Sequence, residues 1–335
     1  MNQAITFDDV LLVPQFNPYE SRKDVSTRNY DVTENFSLTV PVISANMDTI
    51  TEHKMANFMS SKGGIGALHR FMSIEDNIKE FELSLKHAIV SVGVSKEEIE
   101  RAEALYDAGA IYFCVDVAHG HAAYVGRMLT ALRSKFKDNI FIIAGNVATY
   151  KGAEFLADNG ADMIKVGIGG GSVCSTRIKT GFGVPNLTAI QDCARVDRSI
   201  VADGGIRNSG DIVKALAFGA DFVMIGSMLA GTEHTPGDPV IGNDGRYYKT
   251  YRGMASKEVQ DDHRGGMSEW KTAEGVSTQV PCRFDADQII ADIVGGLRSG
   301  LTYAGAKNIQ ELQQKLEYVL VSNAGRIESL PHKTL

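Results

Sequence analysis

Residues 199–227, SIVADGGIRNSGDIVKALAFGADFVMIGS, contain the repeating unit from which the fold can be inferred. The apolar run Ile200–Asp203 is followed by a pair of glycines and then by Asn208-Ser-Gly-Asp211, a pattern that opens helices. A second apolar run, Phe222–Ile225, comes after the helical segment. Apolar and polar residues do not alternate in these runs, which is typical of strands that are buried on both faces. The stretch therefore predicts two buried strands separated by a helix.

Similar units recur along the chain. Eight strands are predicted: Leu38–Ala45, Gly64–Leu68, Ala88–Val92, Tyr112–Val117, Ile140–Asn146, Met163–Gly167, Ile200–Asp203 and Phe222–Ile225. A further helix start is indicated by the capping box Ser95-Lys-Glu-Glu98. Eight strand-then-helix units predict an α/β fold, a closed (β/α)8 TIM barrel, with residues 1–335 in a single domain. A doubly wound open sheet is the alternative that the pattern leaves open.

Two segments interrupt this rhythm, and both follow a predicted strand. A glycine-rich loop, Gly169 to Pro185, comes after the sixth strand. An insertion at 231–284 comes after the eighth and contains a hairpin, with Asn243-Asp-Gly245 as its turn and Tyr247–Tyr251 as its return strand. Beyond the hairpin, Met254 to Thr278 is polar and weakly periodic. Long irregular segments are usually functional lids or disordered. Because both interruptions fall at the C-terminal ends of strands, we expect a mobile flap over the catalytic face.

The composition excludes several classes of protein. Hydrophobic residues make up 44% and charged residues 22% of the chain, which is typical of globular proteins and not of disordered, collagen-like or coiled-coil chains. The net charge of −7 argues against nucleic acid as the main partner. Without an apolar run of membrane-spanning length or a signal-peptide pattern, we expect no membrane contact and a soluble, cytoplasmic protein. The four cysteines show no Cys-x-x-Cys spacing, which argues against a zinc site and a disulfide framework.

Two loops are candidates for binding phosphate. The seventh predicted strand ends in Asp203-Gly-Gly205 and the eighth in Gly226-Ser227. Barrels often bind phosphate at these two positions, because glycines let the backbone approach the oxygens and the next helix N-terminus favours an anion. The alternative is that the glycines only form tight turns.

The loop Gly167–Arg177, GIGGGSVCSTR, carries a candidate nucleophile. A cysteine among glycines, hydroxyls and an arginine can have a lowered thiol pKa, and the thiolate is the reactive form. From loop position alone, a lone cysteine such as Cys174 is more often structural than catalytic. The other cysteines are interpreted as structural, because Cys114 lies in a strand, Cys193 lies in a helix and Cys282 follows a proline.

Seven motifs together resemble the IMP dehydrogenase/GMP reductase family. They are Thr6–Leu12 (TFDDVLL), Ser44–Thr49 (SANMDT), Ala144–Asn146 (AGN), Lys165–Gly169 (KVGIG), Gly171–Cys174 (GSVC), Ala202–Ile206 (ADGGI) and Tyr251–Met254 (YRGM). The resemblance covers nearly the whole chain. It implies a (β/α)8 barrel that binds a purine nucleotide monophosphate, a cysteine that attacks purine C2, and a nicotinamide cofactor that exchanges hydride with that carbon.

Three features are similar to the reductase branch of the family. Dehydrogenases usually carry regulatory CBS modules between strands two and three, where this chain has only Phe71 to His87. They also need an Arg-Tyr pair on the flap to activate water, and residues 260–275 (QDDHRGGMSEWKTAEG) contain none. The strand motif Cys114–Ala118 is similar to the reductase version, which contacts nicotinamide.

The resemblance therefore implies NADPH-dependent reductive deamination of GMP to IMP and ammonia. Two alternatives remain open at this point. One is an IMP dehydrogenase without CBS modules, oxidising IMP to XMP with NAD. The other is an unrelated phosphate-binding barrel.

The resemblance also implies roles for individual residues. Cys174 is the nucleophile, and Thr176 and Glu274 form a hydroxyl–carboxyl relay that protonates the leaving amine; taken alone, Glu274 is equally well a solvated lid carboxylate. Implied nucleotide contacts are Ser172, Asp203, Gly204, Gly205, Gly226, Ser227, Gly253, Met254, Ala255, Lys271, Thr272, Ala273 and Gly275. Implied cofactor contacts are Arg70, Asp116, Val117, Ala118, Ile168, Gly169, Met254, Trp270 and Lys271 and, across a subunit boundary in a homotetramer, Ser21, Arg22, Ser299, Gly300, Leu301 and Thr302. Backbone oxygens around Gly169, Gly171, Cys174 and Arg177 could hold a potassium ion, because hard cations favour oxygen ligands.

The chain departs from the family pattern at four positions. Gly170 replaces the usual proline of the cysteine loop, and Ser175 replaces a threonine. Trp270 stands where tyrosine is common, and Lys271 replaces an arginine. Lysine keeps the charge of arginine but lacks its planar fork, so a bidentate contact at Lys271 is not expected.

Overall fold

Eight parallel strands close into a barrel in the computed structural model, which describes residues 3–331 apart from 267, 269 and 271. The strands are β1 (Val10–Leu12), β2 (Asn29–Tyr30), β3 (Ser37–Leu38), β4 (Val42–Ser44), β5 (Ile65–Leu68), β6 (Ile89–Val92), β7 (Tyr112–Asp116), β8 (Phe141–Val147), β9 (Met163–Val166), β10 (Ser199–Asp203), β11 (Phe222–Ile225), β12 (Val240–Ile241), β13 (Tyr247–Arg252), β14 (Ser277–Pro281) and β15 (Tyr318–Leu320). Around the barrel the order is β10-β11-β4-β5-β6-β7-β8-β9. The predicted TIM barrel is confirmed, and the open sheet is excluded.

Most of the helices cover the outside of the barrel. They are α1 (His53–Ser61), α2 (Ile74–Leu83), α3 (Lys96–Asp107), α4 (Ala123–Phe136), α5 (Tyr150–Asp158), α6 (Thr176–Thr180), α7 (Asn186–Cys193), α8 (Ser209–Ala217), α9 (Lys257–Arg264), α10 (Ala286–Tyr303), α11 (Ile309–Gln314) and α12 (Asn323–Glu328). Between β5 and β6 the chain forms α2, so no regulatory module is inserted there. No helix in the described part of the chain is long and apolar enough to cross a membrane.

The barrel is closed at the N-terminal ends of its strands by aromatic side chains. Phe36 is buried, and its ring centroid lies 5.2 Å from that of Tyr112, 5.5 Å from Phe141 and 5.1 Å from Phe222. These three partners each stand at the first residue of a strand. These rings fill this end of the barrel, which leaves the C-terminal ends of the strands as the place to look for a site, as in other barrel enzymes.

The predicted first strand, Leu38–Ala45, is wrong in its extent. The barrel strand is β4, Val42–Ser44, whereas Ser37–Leu38 pairs with Asn29–Tyr30 in a separate two-stranded sheet. The chain bends between the two segments, and Pro41 has no N–H to continue a ladder. A continuous apolar run therefore concealed two elements.

Both predicted helix starts are confirmed, with Asn208 and Ser95 as the N-cap residues of α8 and α3, but the two caps differ. Asn208 caps α8, because its side chain accepts a hydrogen bond from the Asp211 N–H at 2.9 Å. The predicted capping box at Ser95 does not form, since the Ser95 side chain makes no cap hydrogen bond. The Glu98 carboxylate instead accepts from the Gly93 N–H at 2.6 Å and therefore secures the preceding loop.

The insertion after β11 forms a small sheet and a helix above the barrel. The hairpin is confirmed: β12 pairs with β13, and β13 pairs in turn with β14, all antiparallel. Between β13 and β14 lie α9 and the connection to Gly275. This arrangement brings the end of β13 and the start of β14 to the open end of the barrel.

Candidate active site

A cavity of about 530 Å³ lies at the C-terminal ends of the barrel strands. Its walls come from the strand ends, the loops after them and the insertion. The titratable or amide side chains among the lining residues are Asn46, Arg70, Asp116, Tyr124, Asn146, Lys165, Cys174, Asp203, Tyr251, Gln260 and Glu274. The cavity therefore combines one thiol with several carboxylates and cations.

The loop after β9 presents Cys174 to this cavity. The Cys174 N–H donates to the Gly171 carbonyl at 3.1 Å, which closes a tight turn around the thiol. Its Sγ lies 3.2 Å from Oγ1 of Thr176, the first residue of α6. The thiol is half-buried and has a hydroxyl as its hydrogen-bonding neighbour, so it is both accessible and oriented.

The insertion pairs directly with this loop. Ser175 N–H donates to the Glu274 carbonyl at 2.8 Å, and Val276 N–H donates to the Val173 carbonyl at 2.9 Å. Cys174 and Gly275 form an isolated antiparallel bridge. The backbone pairing therefore holds Glu274 beside the cysteine loop, and Glu274 is one of the residues that line the same cavity.

A buried tyrosine supports the cysteine loop from the other side. The hydroxyls of Tyr251 and Ser172 lie 2.9 Å apart. Burial raises the pKa of Tyr251 above its usual value, so the hydroxyl stays neutral and can donate. This contact ties β13 to the loop.

The remaining cysteines differ from Cys174 in their surroundings. Cys114 and Cys193 are fully buried, and burial raises the pKa of each thiol to about 12. Cys282 is partly exposed but lines a different cavity, beside Lys249. Among the residues lining the main cavity, Cys174 is thus the candidate nucleophile.

The two predicted phosphate loops line the same cavity as Cys174. Gly204 and Gly205 have φ angles of +92° and +75°, which residues with side chains rarely adopt. A β-carbon at Gly204 would lie 3.2 Å from the Gly171 backbone nitrogen. Only glycine therefore allows this loop to approach the cysteine loop. Gly226 and Ser227 line the cavity beside them.

A buried lysine at the base of the cavity was not predicted as a site residue. Lys165 is 2% exposed, and its Nζ lies 2.8 Å from Asp116 and 2.9 Å from Asp203. It also donates to Asn146. Burial alone would lower the pKa of Lys165, but the two carboxylates outweigh it and raise the pKa above its usual value. A cationic residue inside the apolar strand run was the signal that could have identified it.

The predicted nucleotide and cofactor contacts divide into two groups. The residues that line the cavity are Ser172, Asp203, Gly204, Gly205, Gly226, Ser227, Gly253, Met254, Ala255, Gly275, Arg70, Asp116, Val117, Ala118, Ile168 and Gly169. The predicted residues outside its lining are Thr272, Ala273, Ser21, Arg22, Trp270, Ser299, Gly300, Leu301 and Thr302. Trp270 is 80% exposed, whereas Leu301 and Thr302 are buried within this chain. Lys271 lies outside the described residues.

The carbonyls predicted to hold potassium are partly engaged. The Gly171 carbonyl accepts from Cys174, as described above. Arg177 donates to the Ile168 carbonyl at 3.2 Å and to the Val184 carbonyl at 2.7 Å. The guanidinium is thus a cation already bound at this edge of the loop. Among the described residues, no cluster of His, Cys, Asp and Glu side chains could hold a metal ion.

Comparison with known proteins gives the family. A sequence model of the IMP dehydrogenase / GMP reductase domain matches residues 4–332. GMP reductase from Aliivibrio fischeri (strain MJ11) is 40% identical over 330 residues, which cover 94% of each protein. A structure described as inosine 5'-monophosphate dehydrogenase from Legionella pneumophila is 66% identical with a TM-score of 0.89, covering 96% of this chain and 100% of that one. A GMP reductase variant from Trypanosoma brucei, solved in complex with guanosine 5'-monophosphate, is 30% identical with a TM-score of 0.92, covering 100% and 99% of the two chains. The chain therefore belongs to the IMP dehydrogenase/GMP reductase family of oxidoreductases, which act on purine nucleotides with a nicotinamide cofactor.

Proposed function

We propose that this protein is an NADPH-dependent GMP reductase that converts GMP to IMP and ammonia. The observation that carries the proposal is the composition of the flap: residues 260–275 contain no arginine next to a tyrosine. An Arg-Tyr pair does occur at Arg246-Tyr247, but it lies at the hairpin, and neither residue is among those that line the cavity. Among the described residues that line the cavity, no arginine is directly followed by a tyrosine in the sequence.

The first chemical step is attack by the Cys174 thiolate on purine C2. The C2–N bond of the exocyclic amine breaks, and the nitrogen must take up protons to leave as ammonia. Thr176 is positioned for this transfer, since its hydroxyl lies 3.2 Å from the Cys174 sulfur. Glu274, held beside the same loop, is the proton source behind it. The product of this step is a thioimidate on Cys174.

The second step returns the cysteine. NADPH supplies a hydride to C2 when it is bound, and the C2–S bond then breaks to release IMP and the thiolate. In sum, GMP, NADPH and one proton become IMP, NADP⁺ and ammonia. Water must be kept from the thioimidate in the meantime, because hydrolysis would give XMP.

The shape of the cavity is compatible with both ligands. The cysteine loop and the two glycine loops form one part of its wall, which suits a nucleotide with its phosphate on Gly204-Gly205 and Gly226-Ser227. Arg70, Asp116 and Ala118 form another part, which suits the nicotinamide half of the cofactor. Lys271 and Trp270 on the flap are assigned to the nucleotide and cofactor by resemblance alone.

The remaining assignments concern the assembly. Contacts of Ser21, Arg22, Ser299 and Gly300 with the cofactor require a second subunit, so we propose that they act in a homotetramer. Leu301 and Thr302 are buried within their own chain, so these two contacts are not retained. We also propose that the backbone carbonyls of Gly169, Gly171 and Cys174 bind a potassium ion. Sedimentation of the purified protein tests the first, and turnover in potassium against lithium salts tests the second.

A product analysis decides the function. The enzyme is incubated with GMP and NADPH and, separately, with IMP and NAD⁺, and the nucleotides are separated by chromatography. We expect IMP and ammonia in the first mixture and little XMP in the second. NADH and NADP⁺ are run in parallel to establish the cofactor preference.

IMP dehydrogenase is the second candidate function. It is favoured by the 66% identity to the structure from Legionella pneumophila described as that enzyme. Steady accumulation of XMP from IMP and NAD⁺ would establish it and overturn the reductase assignment.

A further inference from the structure

Asn186 connects the cysteine loop with the phosphate loop. It is the first residue of α7, and its side chain is only 5% exposed. Its Nδ2 donates a hydrogen bond to the Gly204 carbonyl. Its Oδ1 is buried and has no hydrogen-bond partner among the described residues. A buried amide oxygen without a hydrogen-bond donor destabilises a fold. Stability alone therefore does not explain why asparagine stands at position 186.

The amide group of Asn186 lies between glycines of the two loops. A β-carbon at Gly170 would lie 2.7 Å from Nδ2 and 2.9 Å from Cγ, and a β-carbon at Gly205 would lie 2.9 Å from Nδ2. The latter would also lie 3.1 Å from the Gly170 carbonyl oxygen. Neither position has room for a side chain while Asn186 is present. The glycine at 170, where the family usually has proline, is therefore matched to this asparagine.

Both loops lead directly to the reacting parts of the site. On one side, Gly170 precedes Gly171, whose carbonyl accepts the Cys174 N–H at 3.1 Å. On the other side, Gly204 and Gly205 form the loop assigned to the phosphate. A shift of the Asn186 amide would therefore change the distance from the thiol to the phosphate site.

We propose that Asn186 is a positioning residue that sets the spacing between the Cys174 loop and the phosphate loop, and that Gly170 is paired with it. The inference rests on the proposed function, in which one nucleotide spans both loops with its phosphate on Gly204-Gly205 and its C2 at the sulfur. Reacting atoms must come within about 3–3.5 Å of each other in a productive complex, and a misplacement of about 1 Å can cost a factor of about 100 in rate. The spacing thus controls how often the thiol meets C2.

The test is a double-mutant cycle on these two residues. Asn186→Ala and Gly170→Ala are each expected to lower kcat/KM for GMP by about 10- to 100-fold. In the Asn186→Ala background there is room for a β-carbon at 170, so adding Gly170→Ala is expected to cost less than about twofold. Asn186→Asp provides a second variant that keeps the shape but cannot donate to Gly204, and we expect a loss similar to that of alanine.

Asn159 offers a matched control in the same protein. Its Nδ2 donates to the Phe155 carbonyl at 2.8 Å, and a β-carbon at Gly126 would lie 2.9 Å from its Oδ1. It follows the C-terminal end of α5, away from the cavity. Asn159→Ala is expected to lower the Tm while kcat/KM stays within about twofold of wild type. If Asn186 had a purely structural role, Asn186→Ala would likewise lower the Tm and leave kcat/KM within about twofold of wild type.

A second readout does not depend on the direction of the reaction. Bound GMP or IMP is expected to protect Cys174 from iodoacetamide in the wild type. In Asn186→Ala, protection at saturating nucleotide is expected to fall, because a nucleotide anchored by its phosphate no longer covers the sulfur. If the wild type makes XMP instead of IMP, the double-mutant cycle is measured on the oxidation of IMP. The positioning role of Asn186 is then tested independently of the proposed reductase function.

Three results would overturn the positioning role. One is a folded Asn186→Ala protein with kcat/KM within about twofold of wild type. Another is full nucleotide protection of Cys174 in that variant. The third is an equal cost of Gly170→Ala in both backgrounds.

Discussion

Cys174 differs from Cys114 and Cys193 through its accessibility, and from Cys282 because it lines the main cavity. We expect Cys174→Ala to lower turnover by more than about 1000-fold, because the covalent step loses its nucleophile. GMP binding, measured by calorimetry, should stay within about threefold, since the phosphate loops are untouched. Cys282→Ala is the matched control and should retain turnover, because Cys282 lies at the other cavity. Turnover of Cys174→Ala within about tenfold of wild type would eliminate covalent catalysis.

Glu274 is the second side chain whose role can be isolated. Glu274→Gln keeps the shape but removes a titratable proton source, so we expect ammonia release to slow by about 100-fold or more. Hydride transfer should be little affected, and it is measured from the absorbance burst when IMP and NADP⁺ are mixed with the variant. Glu258→Gln, on the exposed side of α9, is the control. An equal loss in the burst and in full turnover would contradict the assigned role.

Among the elements, α9 is linked to the barrel and to the small sheet by ion pairs. Arg252 at the end of β13 lies 2.5 Å from Asp48 and 2.6 Å from Asp262, and His263 lies 3.5 Å from Asp48. The Arg252 guanidinium holds the pKa of Asp262 below its usual value. Asp48 comes from the loop after β4, so the barrel, the small sheet and the flap helix meet at one cation.

Removing the flap's side of this contact should loosen α9. We expect Asp262→Asn to raise KM for GMP by about two- to fivefold and to speed proteolytic cleavage within 254–275, because the exposed pair contributes only modestly. Asp261→Asn is the matched control: Asp261 is the adjacent residue and pairs only with Lys257 at 3.9 Å among the described residues. Identical behaviour of the two variants would show that the Arg252 contact does not hold the flap.

For the whole molecule, the end of the barrel opposite the cavity carries a group that affects stability. Asp221 precedes β11, and its carboxylate accepts the Ile200 N–H at 2.8 Å. Burial raises the pKa of Asp221 to about 6. In the unfolded chain the pKa is near 3.8, so between these values the folded state binds more protons. The stabilisation of the folded state that comes from the raised pKa of Asp221 is therefore fully present below pH 3.8 and is lost as the pH rises through 6.

Asp221→Asn should remove this pH dependence. When the pH is lowered from 7 to 5, we expect the free energy of unfolding of the wild type to rise by about 1.3 kcal/mol more than that of the variant. Urea unfolding at several pH values measures the difference, with Asp107→Asn, on the exposed surface of α3, as the control. Parallel curves for wild type and Asp221→Asn would contradict the raised pKa.

The sequence by itself determined the barrel and the reactive loop. Strand runs such as Phe222–Ile225 and the helix start at Asn208 are local patterns. Predictions from such patterns agree with the structure because the patterns reflect backbone propensity and burial. The loops around Cys174 and Gly204-Gly205 were predictable for the same reason, since their position follows from the ends of predicted strands. The roles of Thr176 and Glu274 came from family resemblance and stay predictions.

Only the tertiary structure decided which distant residues meet. Lys165 joins Asp116 to Asp203, and Asn186 lies between Gly170 and Gly204, although these residues come from different units of the barrel. Such contacts depend on the order and closure of the strands, which no local pattern encodes. The split of the predicted Leu38–Ala45 strand has a similar cause, because its two halves pair with different partners. Closure of the barrel brings residues that are distant in sequence within hydrogen-bonding distance of one another, and the candidate site is formed in this way.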